Sequence, residues 1–159
     1  MNLWKYYDGD LKYPDLDNFS HEKEIAKTNS KWAYEYTSEH GKDKELEPII
    51  STSSYHSYWY AYEVLDSRFE LGEPAIAKNA YYSYYYALNV LNGPFKLGES
   101  IIAQSASYSY LYARDILTGP FPLGEPVIAS NAYYSQAYTN EVLKKDFYLD
   151  GKLIRKYKG

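Results

Sequence analysis

Residues 73–98 read EPAIAKNAYYSYYYALNVLNGPFKLG, and the chain repeats variants of that line. Residues 47–72 (EPIISTSSYHSYWYAYEVLDSRFELG), 99–124 (ESIIAQSASYSYLYARDILTGPFPLG) and 125–150 (EPVIASNAYYSQAYTNEVLKKDFYLD) align with it without a gap. Glu47, Glu73, Glu99 and Glu125 stand 26 residues apart. The same register holds for Ile50, Ile76, Ile102 and Ile128, for Tyr60, Tyr86, Tyr112 and Tyr138, and for Phe69, Phe95, Phe121 and Phe147. A fixed period of this length is the signature of a repeat architecture, in which each unit buries its apolar face only against its neighbours.

The local chemistry of one repeat predicts two helices and a link. Glu73 places a negative charge at a helix N-terminus, where the dipole favours it, and Pro74 suits the first helical turn. That first helix has room for about two turns before Asn79. Ser53, Asn79, Ser105 and Asn131 form a column of N-cap residues for a second helix. In repeat three the second helix runs through Tyr81 to Leu91, where Asn92-Gly93-Pro94 stops it, and Thr118-Gly119-Pro120 repeats the stop. Ser83, Tyr86, Ala87, Val90 and Leu91 recur at offsets of three, four, seven and eight, a helical and not an alternating pattern. Small residues such as Ser83 and Ala87 let helices approach. Tyr86, Val90 and Leu91 are expected to fill the core, with Phe95 and Leu97 closing each layer. The repeated tyrosines Tyr60, Tyr86, Tyr112 and Tyr138 read as core aromatics whose hydroxyls reach the surface.

The array extends in degraded form past both ends. Ile25-Ala26-Lys27 and Trp32-Ala33-Tyr34-Glu35-Tyr36 echo repeat three after one inserted residue, so residues 21–46 read as a divergent first repeat. Gly151-Lys152-Leu153-Ile154 aligns with Glu125-Pro126-Val127-Ile128 and reads as half of a sixth repeat, followed by a basic tail. The fold class expected is all-α. It is an α-solenoid of two-helix repeats over residues 21–159 (units 21–46, 47–72, 73–98, 99–124 and 125–150, with a cap at 151–159), preceded by an arm or cap at residues 1–20.

Function is sought where the repeats differ. The variable stripe of the second helix carries Tyr55, Tyr58, Trp59 and Tyr62 in repeat two, and Tyr81, Tyr84, Tyr85 and Leu88 in repeat three. In repeat four it carries Ser107, Tyr110, Leu111 and Arg114, and in repeat five Tyr133, Gln136, Ala137 and Asn140. Two readings compete: these residues pack against the next repeat, or they form an exposed aromatic surface. On the second reading the partner-binding candidates are Tyr55, Tyr58, Trp59, Tyr62, Tyr81, Tyr84, Tyr85, Tyr110 and Arg114. Tyrosine and tryptophan are the side chains most enriched at binding hot spots.

Composition narrows the classes. The 159 residues suit one domain. Cysteine is absent, which excludes disulfides and thiolate chemistry, and 22 residues are tyrosine. A net charge of −4 disfavours a nucleic-acid coat, and Arg114 is the sole basic residue of the variable stripe. No apolar run is long enough to span a membrane, and residues 1–10 lack a signal-peptide core, so a cytoplasmic location is expected. The histidines are His21, His40 and His56, and His56 occupies the column of Tyr82, Tyr108 and Tyr134. No hydrolase, phosphate-loop, dinucleotide or calcium-loop motif occurs, so neither an enzyme nor a cofactor is expected.

The motif IAxNAYYSYxYAxxVLxGPFxLGEP resembles tandem α-helical repeat proteins, uncharacterised in activity, encoded mostly by tailed bacteriophages and some large DNA viruses. The resemblance covers residues 47–150 and rests on the Tyr-Ala, Val-Leu, Gly-Pro-Phe and Leu-Gly-Glu-Pro elements. Residues 21–46 lack the Gly-Pro-Phe link, and repeat five has Lys145-Asp146-Phe147 there. The architecture is also similar to tetratricopeptide solenoids. The resemblance implies a helical array of viral origin and no site residues. The function expected is a non-enzymatic protein-binding scaffold, as in a phage inhibitor of a host or defence factor. The alternative is a binder of single-stranded nucleic acid or a nucleotide-like ligand through tyrosine stacking.

Overall fold

The computed structural model describes residues 19–159. These are mostly helical, with one antiparallel hairpin near the C-terminal end. They divide in sequence into two compact units, the first ending at Ala75 and the second beginning at Ile76. The expected arm or cap at residues 1–20 lies outside the described residues as far as residue 18, and α1 (Phe19–Ala26) already opens within it.

Every repeat is a helix pair. In repeat one, α1 is followed by α2 (Ser30–His40), capped by Asn29 and ended by Gly41 at φ 87°. The short helices of the later repeats are α3 (Glu47–Ile50), α5 (Glu73–Ile76), α7 (Glu99–Ile102) and α9 (Glu125–Ala129), nearer one turn than two. The long ones are α4 (Ser54–Trp59), α6 (Ala80–Tyr86), α8 (Ala106–Leu111) and α10 (Ala132–Ala137). The side chains of Ser53, Asn79, Ser105 and Asn131 accept hydrogen bonds from backbone N–H groups two or three residues on, as the N-cap column predicts.

Each long helix runs on into a π-helical turn: Tyr60–Leu65, Ala87–Leu91, Tyr112–Leu117 and Tyr138–Leu143. The carbonyl of Ala61 there accepts from both Asp66 and Ser67, and that of Ala87 from both Asn92 and Gly93. The left-handed residue that ends the helix is Asp66, Asn92, Thr118 or Lys144, at φ 47–51°. The expected stop at Gly93 and Gly119 therefore falls one residue earlier, and neither glycine has a positive φ. Asp and Asn tolerate this conformation through their short polar side chains, whereas Thr118 is held in it against its β-branch.

The links end in 3₁₀ turns, Glu70–Gly72, Lys96–Gly98 and Pro122–Gly124. Here glycine is required by close approach. A Cβ on Gly98 would lie 2.5 Å from the Phe95 ring and 2.7 Å from Ser83 Oγ, and one on Gly124 would lie 2.6 Å from Ser109 Cβ. The serine beneath each glycine is fully buried, and its hydroxyl donates to the end of the short helix: Ser57 to Ile50, Ser83 to Ile76 and Ser109 to Ile102, at 3.0–3.1 Å.

The core columns are Ile50, Ile76, Ile102 and Ile128, with Tyr60, Tyr86, Tyr112 and Tyr138, each packed by the following Phe at ring centroids of 5.0–5.3 Å. Three expectations are corrected. Val90 and Leu91 are half-buried, because the widened π turn carries the helix end away from the centre. Leu71, Leu97 and Leu123 are 51, 53 and 55% exposed, since the 3₁₀ turn points them outward while Phe69, Phe95 and Phe121 turn in. The core phenols do not reach the surface; all four are fully buried.

The expected half repeat after residue 150 is instead a β-hairpin, β1 (Phe147–Leu149) paired with β2 (Lys152–Arg155). Asp150 at φ 50° and Gly151 at φ 76° form its two-residue turn. Asp-Gly between apolar pairs is the sequence signature of such a hairpin. Phe147 nevertheless keeps its repeat position against Tyr138.

Candidate binding surface

The tyrosines separate into three classes by position in the repeat. The first class fastens the core. Tyr112 Oη donates to Glu99 Oε1 at 3.1 Å and accepts from the Phe95 N–H at 2.9 Å. Tyr138 does the same with Glu125 (2.8 Å) and the Phe121 N–H (3.0 Å). Tyr60 donates to Glu47 at 3.1 Å. The glutamate ladder thus has a second role beyond starting helices: it receives the buried phenols, and the phenols satisfy link N–H groups that have no backbone partner there. Burial first, and then Glu99, push the Tyr112 phenol above the usual phenol range.

The second class corrects the candidate site. Tyr58, Tyr84 and Tyr110 are buried, and for Tyr84 and Tyr110 the first of the two competing readings holds. In the second unit α6, α8 and α10 lie side by side, and these phenols span to the following repeat. Tyr84 Oη donates to Asp115 at 2.7 Å and Tyr110 Oη to Glu141 at 2.5 Å. In the first unit, Tyr34 donates to Glu63. The signal was legible: an acid stands 31 residues, one repeat plus about one helical turn, beyond Tyr84 and Tyr110. Arg114 belongs to the same system. It is solvent-exposed, yet it forks onto Asp115 (2.6 and 3.0 Å), donates to Tyr110 Oη (2.8 Å) and lies over the Tyr110 ring. Arg114, followed by the Tyr84 hydroxyl, holds the Asp115 carboxyl below its ordinary range.

The third class faces water. Tyr55, Trp59 and Tyr62 form one stripe of the second helix in the first unit. The outer two are exposed, Trp59 is half-buried, and Trp59 touches both rings, with centroids 6.3 and 5.9 Å apart. In the second unit, Tyr81 is exposed and Tyr85 half-buried, 4.5 Å between centroids, with Tyr108 at the edge of Tyr81. Sequence reasoning left Tyr133 out of the binding candidates because the stripe around it is poor in aromatics, yet among the described residues it is the most exposed large aromatic, at 73%. His56 stacks on Tyr34 and its Nδ1 lies 3.0 Å from Ser30 Oγ, as a substitute repeat aromatic would; burial, and then Lys31, lower its pKa.

Among the described residues, no group of three or more His, Cys, Asp or Glu is placed to hold a metal ion, and no helix is long and apolar enough to cross a membrane. Compared with known proteins, the chain matches no family model, no curated protein and no solved structure.

Proposed function

We propose that the chain is a non-enzymatic α-solenoid scaffold that binds a protein partner through the water-facing aromatic stripe of its second helices. The observation that carries this reading is the Tyr55, Trp59 and Tyr62 stripe: three large aromatics in mutual contact, two of them exposed, on a helix whose other aromatics are already fastened internally. A rigid amphipathic aromatic cluster loses little side-chain freedom on binding and supplies hot-spot area. Tyr81 and Tyr85 supply the same chemistry in the second unit. Tyr58, Tyr84, Tyr110 and Arg114 support the surface from behind. The repeats stacking in register would explain phenols that bond from one repeat to the next. The resemblance to viral repeat proteins would make the partner a host factor met in the host cytoplasm.

The test is capture from host lysate with and without nuclease, comparing the wild type with Tyr55→Ala/Trp59→Ala and with Gln136→Ala/Asn140→Ala. The aromatic double variant is expected to lose the partner, at a cost of about 2 kcal/mol or more, while retaining its helicity. Equal capture by both variants would refute the assigned surface. Loss of capture on nuclease treatment, with binding that falls steeply with salt, would replace the protein partner by a single-stranded nucleic acid.

A further inference from the structure

The link face of the second unit carries a feature that the aromatic surface does not use. Two clefts there share Pro120 as a wall. One has Leu117, Phe121 and Leu123 as its apolar lining, with Glu99 and Lys96 at its end; the other has Leu143, Phe147 and Tyr148, with Glu125, Asp146 and Lys145. Leu117 and Leu143, Phe121 and Phe147, and Glu99 and Glu125 are repeat equivalents. The two clefts are copies of one site, which the first unit also carries at Glu47, Leu65 and Phe69, and the two differ in how the carboxylate is neutralised.

At Glu73 and Glu99 of the ladder the chain supplies its own cation. Arg68 forks onto Glu73 at 2.6 and 3.0 Å, from five residues upstream. Lys96 reaches Glu99 at 2.9 Å, from three residues upstream. The corresponding positions before Glu125 are Pro120 and Pro122. Glu125 keeps its bond from Tyr138; Lys145 lines the same cleft together with Asp146, but among the described residues it forms no ion pair with Glu125, and the two carboxylates leave the cleft with a net negative charge. A carboxylate at the edge of an apolar cleft, with both of its cation positions occupied by proline, is complementary to a cation brought from outside.

We infer that the two clefts dock an extended segment of a protein partner, with an aliphatic side chain against Leu117, Phe121 and Leu123 and an arginine on Glu125. Arginine suits the site because Arg68 on Glu73 shows that a glutamate of this column takes a guanidinium fork, and because exposed Tyr148 offers its ring beside the carboxylate. The spacing follows from packing. Neighbouring helices lie about 8–10 Å apart, and an extended chain advances about 3.3–3.6 Å per residue. The two side chains therefore stand three residues apart, as Leu-x-x-Arg.

The probe is the fluorescein-labelled peptide Ser-Leu-Ser-Gly-Arg-Ser, titrated with the full chain by fluorescence anisotropy. Saturable binding is expected, weakened about tenfold or more by Glu125→Gln. Gln keeps an oxygen acceptor for Tyr138, so the melting temperature should hold. Pro122→Lys places at an exposed position of repeat four the counterpart of Lys96 in repeat three and should weaken the probe similarly by competing for Glu125. Leu123→Ser should also weaken it, and a probe with citrulline for arginine should bind poorly to the wild type and be indifferent to Glu125→Gln. No saturable binding at about 1 mM protein, or equal binding by the wild type, Glu125→Gln and Pro122→Lys, would overturn the proposal.

Discussion

Repeats four and five carry the same helix pair, yet one continues the array and the other closes it. In repeat four the link ends in Gly124, which lies against Ser109, and Ser109 donates to Ile102. In repeat five Asp150 stands in the glycine's place at φ 50°, the link becomes strand β1, and the Ser135 hydroxyl turns back to Ala132 within its own helix. The inward Phe, the buried Tyr and its Glu are unchanged between the two. Packing of the layer and continuation of the array are therefore carried by different residues: the phenol and its glutamate build the layer, and the glycine lets the next helix start.

The largest effect should come from placing a side chain where repeat four has none. Gly124→Ala should cost about 3 kcal/mol, the upper end of overpacking, because its Cβ meets Ser109 Cβ and the Phe121 ring at 2.6 Å. The converse change in repeat five, Asp150→Gly, should alter stability by less than about 1 kcal/mol. Chemical denaturation of both variants checks the contrast, and similar costs would mean that the glycine does not govern continuation.

A second pair tests what the repeats share. Tyr112→Phe and Tyr138→Phe each leave a buried link N–H, of Phe95 or Phe121, without its acceptor, and each should cost about 1–3 kcal/mol. A much smaller cost at Tyr138 would show that the last repeat is a loose cap and not a full layer.

The smallest effect concerns alkali. Burial, before any other cause, raises the Tyr112 and Tyr138 phenols above the usual 10.0. Below that pH the phenols are protonated in both folded and unfolded chains, and this contribution is constant. Above it the unfolded chain ionises first, so stability falls as pH rises. Unfolding followed by tyrosinate absorbance should begin above pH 10, and each Tyr→Phe variant should show a slightly shallower decline than the wild type. An unchanged slope would place those phenols in water.

The helix pairs were legible because their signals are local: an N-cap side chain, a proline in the first turn and a fixed period. The three roles of tyrosine were not. A phenol is apolar enough to bury and polar enough to expose, so Tyr58, Tyr84 and Tyr110 look in sequence like Tyr55 and Tyr81. What separates Tyr84 and Tyr110 is the facing acid 31 residues on, a spacing present in the sequence that alignment of equivalent columns does not bring together; Tyr58 has Asn89 at that spacing and carries no such mark. The hairpin was missed for the opposite reason. The match of Leu153-Ile154 to the start of a repeat outweighed a two-residue turn signal at Asp150-Gly151. The helix-starting proline and glutamate were absent there, and their absence was the better guide.

The two bonds of Tyr112 reach back only 13 and 17 residues. Nothing in the fastening of a layer depends on how many layers precede it. Excising residues 99–124 would join Gly98 to Glu125 and recreate the Leu-Gly-Glu-Pro junction, and Tyr138 would meet the Phe95 N–H in place of that of Phe121. Array length is thus a heritable variable that duplication or loss of one 26-residue cassette can change in a single genetic event, while the bonds of the buried tyrosine to its glutamate and link N–H are kept.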